Sequence, residues 1–144
     1  MKDNKWVLSY GSSVERMALA PDGSLWLAET VYESPKARTP LQLVGVGFSI
    51  FDGENWHRQF ILPDKSGITG KRMLFSSDGS LWVAPFVSGE GENGVYRYNH
   101  GQWSHYTIQN GLSGNSVKAI YTTKDGALWF VTEGGLTRYD NAHK

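Results

Sequence analysis

Short alternating stretches of apolar and polar residues, closed by Asp-Gly turns, run along the whole chain. The phrase APDGSLWLAE around Trp26 returns as SSDGSLWVAP around Trp82 and as TKDGALWFVT around Trp129, at spacings of 56 and 47 residues. An Asp-Gly pair accepts the positive φ values that a tight strand reversal requires. No window keeps a helical period, because Pro and Gly interrupt every candidate. The pattern predicts an all-β chain built from repeats.

Alignment of the copies on Asp22, Asp78 and Asp125 predicts four antiparallel strands in each repeat, named a to d. Strand a precedes the turn and is predicted to be the inner strand of its repeat, whereas strand d is the outer one. Strand b follows the turn at 25–28, 81–84 and 128–131, and strand c lies behind a glycine at 47–52, 94–99 and 135–140. Strand d opens on Trp56 or Trp103 after a further turn and covers 56–61 or 103–108. A repeat of this length with four strands is typical of one blade of a β-propeller.

The repeats divide the chain into blade one at 11–62, blade two at 63–109 and blade three at 110–144. Blade three lacks a Trp-led strand d, whereas residues 1–10 contain one, KWVLSY, without a blade of their own. Propellers have four to eight blades. We therefore predict a two-fold homodimer that forms one six-bladed ring, in which the N-terminal strand completes the partner's last blade. The predicted closure residues are Trp6, Val7, Leu8, Tyr10, Leu136 and Tyr139. The alternative is a piece of a longer single-chain propeller.

Composition narrows the partners of the chain. The 14 basic and 14 acidic side chains cancel, so nucleic acid and anionic membranes are not predicted partners. Without cysteine, disulfides are excluded. The N-terminus has no apolar leader and no stretch is long enough for a membrane helix, so a cytoplasmic protein is the expectation, or a periplasmic one if the start has been trimmed.

Charged side chains gather where the inner strands begin, at the mouth of the predicted central channel. The b–c and d–a loops should form a funnel on this face, and blade one carries the longest b–c insertion, at 30–46. We predict that this funnel binds a small polar or anionic ligand. The candidate residues are Arg16, Arg72, Lys71, Lys118, Glu15, Glu29, Glu133, Tyr32 and Arg38. A solvated funnel without a ligand is the competing interpretation.

The sequence offers little catalytic chemistry. None of the histidines His57, His100, His105 and His143 has the spacing of a metal ligand with another histidine or a carboxylate. No ordered Ser-His-Asp arrangement or nucleophile elbow is present. We predict no cofactor and no catalytic residue. Packing explains Trp26, Trp82 and Trp129 in strand b, whereas the outer-strand tryptophans are predicted to pack or to stack on sugar rings.

Residues 111–140, GLSGNSVKAIYTTKDGALWFVTEGGLTRYD, closely resemble the two-component-regulator propeller repeat. The features in common are a Gly-Leu and Asn-Ser-Val lead, an Asp-Gly-x-Leu-Trp hairpin and a Gly-Gly-Leu-x-x-Tyr-Asp ending. The resemblance implies a β-propeller. It also implies a sensing role, since such repeats form the extracytoplasmic ligand-binding part of hybrid histidine kinases.

These observations predict a non-enzymatic, sensor-like module that binds a ligand or a protein. One alternative is an oligomeric propeller lectin, which would carry equivalent pockets between its blades. A second alternative is an enzyme similar to streptogramin lyases, whose repeats contain like phrases and which use histidine, glutamate and magnesium. The predicted positions of the histidines on outer strands and turns argue against this last activity.

Overall fold

The computed structural model describes residues 14–33, 42–60, 69–86 and 94–140. These residues form three antiparallel sheets, which confirms the all-β prediction. Sheet 1 contains β1 (Val14–Leu19), β2 (Leu25–Glu33), β3 (Gln42–Phe51) and β4 (Trp56–Phe60). Sheet 2 contains β5 (Thr69–Phe75), β6 (Leu81–Phe86), β7 (Val95–Asn99) and β8 (Gln102–Tyr106). Sheet 3 contains β9 (Val117–Thr122), β10 (Leu128–Thr132) and β11 (Gly135–Tyr139).

Each sheet is a simple meander, in which every strand pairs with the next one in the chain. The order β1-β2-β3-β4 reproduces the predicted order a to d, and β5-β6-β7-β8 repeats it. Among the described residues, sheet 3 has three strands, and β11 pairs there with β10 alone. The predicted partner strand, at residues 1–10, lies outside the described part of the chain.

The a–b turns form as their sequence predicts. The glycine of each Asp-Gly pair has positive φ, at 89° for Gly23 and 83° for both Gly79 and Gly126. The aspartate accepts a backbone hydrogen bond from the residue two positions on, as Asp22 Oδ1 does from Ser24 N at 2.8 Å. This side-chain bond fixes the reversal locally.

Two predicted boundaries are wrong. The b–c insertion of blade one is not wholly a loop, because β2 and β3 extend into it and pair Thr30 with Val46 and Tyr32 with Leu43. The β-branched and aromatic residues there favour a strand. Strand d of blade two ends at Tyr106, since Thr107 caps a short 3₁₀ helix at Ile108–Asn110 by accepting a hydrogen bond from Gln109 N.

All three inner strands contain a β-bulge at the same place. In β1 the pairing passes from Val14 directly to Arg16, and in β9 from Val117 directly to Ala119. The extra residues are therefore Glu15 and Lys118, and β5 has its irregularity between Thr69 and Arg72. A bulge leaves one residue out of the ladder and turns it away from the regular alternation.

The core lies between the sheets. One buried cluster joins sheets 1 and 2 and contains Phe48, Leu81 and Val83. A second joins sheets 2 and 3 and contains Trp82, Leu128 and Phe130. We call these two contacts the first seam and the second seam. Trp26 fills the first seam and Trp82 the second, as predicted, whereas Trp129 belongs to neither.

Aromatic ring contacts hold both seams together, and those of Trp26 with Tyr98 and of Trp82 with Tyr139 are equivalent. In the first seam Trp26 lies 5.5 Å from Phe75 and 6.1 Å from Tyr98, measured between ring centroids. In the second seam Trp82 lies 5.4 Å from Phe130 and 4.9 Å from Tyr139. Edge-to-face and tilted contacts of this kind are favourable for aromatic rings. Trp26 and Trp82 thus each insert toward the sheet that follows.

The two outward sheet faces carry exposed apolar side chains. Register places Tyr121 and Leu136 beside Trp129 on the face of sheet 3 that points away from sheet 2, and they are 62% and 63% exposed. Met17 and Leu19, on the outward face of sheet 1, are each 68% exposed. Side chains of this size are normally buried where a further sheet follows.

Candidate functional site

An open hollow of about 190 Å³ lies along the inner strands of the three sheets. Arg16 on β1 and Arg72 on β5 line it together, although they belong to different sheets. They occupy equivalent positions, since Arg16 pairs with Ala28 and Arg72 with Ala84. The remaining lining residues are Met73, Ala119, Ile120 and Tyr121. We call this the arginine hollow.

The other predicted charges divide into several groups. Lys118 is exposed on β9 but does not line the arginine hollow, where its neighbour Ala119 occupies the arginine position. Glu15 and Lys71 lie in β1 and β5, and Tyr32 lies in β2, but their side chains are outside the description. Arg38 lies outside the described residues. Of the predicted set, the structure therefore brings only the two arginines together.

Glu29 does not line the funnel, contrary to the sequence-based expectation. Its side chain is 1% exposed and accepts a hydrogen bond from Ser49 Oγ at 2.9 Å. The reason is the extension of β2 to Glu33, which leaves Glu29 in the middle of the strand rather than at its end. Glu133 is exposed in the β10–β11 turn, where its Oε2 accepts a hydrogen bond from Ser116 N at 2.9 Å. It thereby ties that turn to the segment before β9.

The predicted closure residues are only partly described. Leu136 is exposed and Tyr139 is half-buried, both on β11. Trp6, Val7, Leu8 and Tyr10 lie outside the described residues. The ring closure therefore remains a prediction.

A second cavity, of about 220 Å³, opens at the turn edge of the first seam. Trp26, Phe75 and Tyr98 give it an aromatic wall, and Asp22 and His100 add polar groups. The other lining residues are Ala20, Pro21, Gly79 and Asn99. We call this the aromatic cavity. None of its lining residues belongs to the candidate set predicted from the sequence.

The corresponding place in the second seam is filled by the chain itself. The side chain of Arg97 lies over the Trp82 ring at 5.5 Å from its centroid. Its Nη2 is 2.7 Å from Asp78 Oδ2, and its Nε donates to Ser80 Oγ at 2.9 Å. Partial burial acts to raise the pKa of Asp78, but hydrogen bonds from Ser76, Ser80 and Arg97 outweigh it and lower the pKa to about 2.

The two seams therefore differ in a way that bears on the alternatives. A lectin with one equivalent pocket per seam would need the same open cavity in both. The second seam has a cavity of about 120 Å³ beside Trp82 and Tyr139, but Asp78 and Arg97 do not line it, so the pockets of the two seams are not equivalent. The two outer-strand tryptophans that the structure describes pack within the protein, because Trp103 lies 6.2 Å from Phe48 and Trp56 lies 5.0 Å from Phe51. A signal for this difference was present in the sequence, since Ile50 stands where the second repeat has Arg97.

Three of the four histidines lie as the strand map predicts, and His143 lies outside the described residues. His57 on β4 pairs with Asp52 at 2.8 Å, and His105 on β8 stacks on Tyr96 at 4.2 Å between ring centroids. His100 is in the β7–β8 turn with a φ of 50°. In the described part of the chain, no group of three or more His, Cys, Asp or Glu side chains is placed to hold a metal ion. Within the same residues, no helix has the length and apolar character that crossing a membrane requires.

Comparison with known proteins agrees with this architecture. The family model described as two component regulator propeller matches residues 111–134. The resemblance predicted from the sequence is confirmed. The match begins before β9 and ends in the β10–β11 turn, so it covers the hairpin that carries Trp129. No curated protein matches the chain.

Two solved structures match the chain over a small part of their own length. The first is PorZ, a bacterial surface component of the type-IX secretion system of Porphyromonas gingivalis, with 18% identity and a TM-score of 0.54 over 88% of this chain. The second is the extracellular domain of the putative one component system BT4673 from B. thetaiotaomicron, with 11% identity and a TM-score of 0.49 over 88% of this chain. The chain spans 17% of the first protein and 21% of the second. The likeness to PorZ supports a propeller-type, all-β domain.

Proposed function

We propose that this propeller-type chain is a non-enzymatic binding module that receives a small organic anion in the arginine hollow. The observation that carries the proposal is that Arg16 and Arg72, from adjacent sheets, line one open hollow. No carboxylate stands among its described lining residues. Guanidinium groups are suited to this role because their paired donors match the oxygens of carboxylate and phosphate.

The rest of the hollow favours an anion that also has an apolar part. Met73 and Ile120 supply apolar walls, and the phenol of Tyr121, which is largely exposed, is available as a hydrogen-bond donor. An aryl or alkyl phosphate or carboxylate combines both features. Histidine is missing from the described lining residues, so the chemistry proposed is recognition without a general acid or base.

Titration calorimetry with phenyl phosphate tests the anion site. We expect Arg72→Gln and Arg16→Gln each to weaken binding about ten-fold, the loss typical of one charge-assisted contact in a solvated site. Lys118→Gln is the matched control, because it removes the same charge from an inner strand outside the hollow, and it should leave affinity within about two-fold. Unchanged affinity in Arg72→Gln, or an equal loss in Lys118→Gln, would contradict the site.

We further propose that a second copy of the chain completes a six-bladed ring. The support is the likeness between the outward faces and the existing seams. In the first seam Met73 and Phe75 of sheet 2 receive Trp26. Met17 and Leu19 hold the equivalent positions on sheet 1, and Trp129 on sheet 3 is the equivalent of Trp26. The face of sheet 3 is thus suited to the outward face of sheet 1 in another molecule.

Closure would also complete sheet 3. Strand β11 pairs with β10 on one side, and the Trp-led segment KWVLSY has the sequence of the missing fourth strand. A head-to-tail contact that closes after two copies gives six blades, within the range of known propellers. A following blade in a longer chain would cover the same faces and is the competing outcome.

Native mass spectrometry at micromolar concentration tests the ring. We expect twice the chain mass of 16.1 kDa, and we expect Met17→Glu to shift the protein to monomer. Ser77→Glu introduces the same charge on an exposed turn and should leave the dimer intact. A folded wild-type monomer, or a dimer unaffected by Met17→Glu, would contradict the ring.

A further inference from the structure

One register position distinguishes the first repeat from the other two. It is the residue on strand c that pairs with the strand-b tryptophan. Arg97 pairs with Trp82 and Arg138 pairs with Trp129, whereas Ile50 pairs with Trp26. All three side chains project on the same face as their tryptophan, because paired residues in a ladder share a face. In the first two repeats that face points toward the following sheet.

Both arginines make the same pair of contacts. Arg97 covers the Trp82 ring and pairs with Asp78 of its own a–b turn. Arg138 lies 5.8 Å from the Trp129 ring centroid, and its Nη2 is 2.9 Å from Oδ2 of Asp125, again in the a–b turn. The repeat therefore places a guanidinium group between a tryptophan face and the turn carboxylate.

The first repeat keeps the tryptophan and the carboxylate but has no arginine at this position. Asp22 Oδ1 accepts hydrogen bonds from the backbone N and the Oγ of Ser24, and among the described residues Asp22 forms no ion pair. The aliphatic side chain of Ile50 has no charge with which Asp22 could form an ion pair. The aromatic cavity lies at this place, lined by Asp22, Trp26 and Tyr98. In the second seam, the equivalents of all three contact Arg97.

We propose that the aromatic cavity binds the guanidinium group of an external molecule. The plane of the group stacks on Trp26, its N–H donors pair with the free oxygen of Asp22, and the Tyr98 hydroxyl lies beside it as Tyr139 does beside Arg97. The second seam displays this arrangement within one chain, and the cavity of about 220 Å³ accommodates the planar head and part of its stem.

The chemistry favours guanidinium over ammonium. A planar, weakly hydrated cation stacks on an indole and offers paired donors to a carboxylate, whereas an ammonium group is a compact and strongly hydrated charge. The Asp22 side chain is preorganised for a cation, because the hydrogen bonds from Ser24 fix its orientation and also lower its pKa. The ligand is therefore an arginine residue of a peptide or a free arginine-like molecule.

Titration of N-acetyl-L-arginine amide into the wild-type chain, followed by the fluorescence of tryptophan, tests the proposal. We expect saturable binding that the isosteric but neutral citrulline amide reproduces about ten-fold more weakly or not at all. N-acetyl-lysine amide should also bind more weakly. Equal binding of the arginine and citrulline probes would overturn the proposal.

Two variants localise the site. Asp22→Asn keeps an acceptor for Ser24 but removes the charge, and we expect about ten-fold weaker binding of the arginine probe. Asp125→Asn makes the same change in the third repeat, where Arg138 already pairs, and should leave affinity within about two-fold. Unchanged binding by Asp22→Asn would overturn the assignment.

Ile50→Arg gives an independent test because it restores the side chain of the other repeats. We expect this variant to fill the cavity with its own arginine and to abolish binding of the arginine probe, while it unfolds at or above the wild-type temperature. A folded Ile50→Arg protein that binds the probe with wild-type affinity would overturn the proposal. Since these residues are separate from Arg16 and Arg72, the result does not depend on the anion site.

A last comparison shows whether the guanidinium group belongs to a protein segment or to a small molecule. If a peptide of five residues with a central arginine binds at least about ten-fold more tightly than N-acetyl-L-arginine amide, the partner is a protein segment. If free L-arginine binds as tightly as the peptide, the ligand is a small molecule. Either result supports the guanidinium site, and failure of all three probes to bind contradicts it.

Discussion

Arg97 and Asp78 form an ion pair at 2.7 Å, between Nη2 and Oδ2, on the second seam of the propeller. The side chains are 20% and 31% exposed, so the pair is more shielded from water than the Arg138–Asp125 pair, whose side chains are 47% and 57% exposed. Arg97 also donates to Ser80 Oγ and covers Trp82. The same ion pair should therefore stabilise the fold more in the second repeat than in the third.

Arg97→Met should lower the free energy of unfolding by about 1–2 kcal/mol, because it leaves Asp78 without its cation and uncovers part of the Trp82 ring. Arg138→Met, the matched control, should cost less than about 0.5 kcal/mol, as expected of an exposed pair. Urea unfolding followed by circular dichroism measures both. Equal losses in the two variants would show that shielding does not distinguish the pairs.

Asp78 should make the stability depend on acid pH. Its pKa falls from 3.8 to about 2 in the folded state, so the folded carboxylate holds its proton less tightly than the unfolded one. The resulting stabilisation is present above pH 4 and is lost as the pH falls through 2. Because the group is substantially exposed, we expect a contribution of only about 1 kcal/mol.

Unfolding of Asp78→Asn between pH 5 and pH 2 checks this expectation. The variant should be less stable than wild type at pH 5, and the difference should narrow toward pH 2. Asp52 also has a pKa lowered to about 2, first by the backbone hydrogen bond from Asn55 and then by His57, but its side chain is more exposed than that of Asp78, at 45% against 31%. Asp52→Asn is therefore the control, and an equal narrowing there would assign the effect to carboxylates in general.

Gly94 should not tolerate a side chain. Its φ is +59°, and a Cβ built on it would overlap the carbonyl oxygen of Tyr106. Gly101 has a φ of +80° with nothing within 4 Å of the same position. We expect Gly94→Ala to cost about 3 kcal/mol or to prevent folding, and Gly101→Ala to cost about 1 kcal/mol from the left-handed backbone alone. Thermal unfolding of both variants separates the effect of steric overlap from that of backbone strain. Similar losses of stability in the two variants would show that the overlap at Gly94 adds nothing.

The architecture could be predicted from the sequence because each repeat carries the same strand and turn residues at the same positions. Trp26, Trp82 and Trp129 occupy one slot in three meanders, and the glycines of the a–b turns have the expected positive φ. The strand starts at Leu25, Leu81 and Leu128 also agree with prediction. Periodicity and turn chemistry are local, so aligned copies show them without knowledge of the packing.

The candidate site was less accessible to sequence reasoning. Arg16 and Arg72 were identified because the copies align, but the burial of Glu29 depends on how far β2 continues into an insertion that has no counterpart in the other repeats. The aromatic cavity was missed for a different reason. Only the fold reveals that the side chain opposite a strand-b tryptophan reaches the a–b turn, which gives Ile50 its significance.

The bulges of the inner strands have a consequence for how such a repeat can diversify. Glu15 and Lys118 stand outside the ladder at the same point of β1 and β9, next to residues whose side chains line a seam or the arginine hollow. Substitution at an unpaired position leaves the neighbouring cross-strand pairs in register. Opposite charges can therefore replace one another along these strands without rearranging the packed layers, so selection can adjust the electrostatic potential beside them independently of folding.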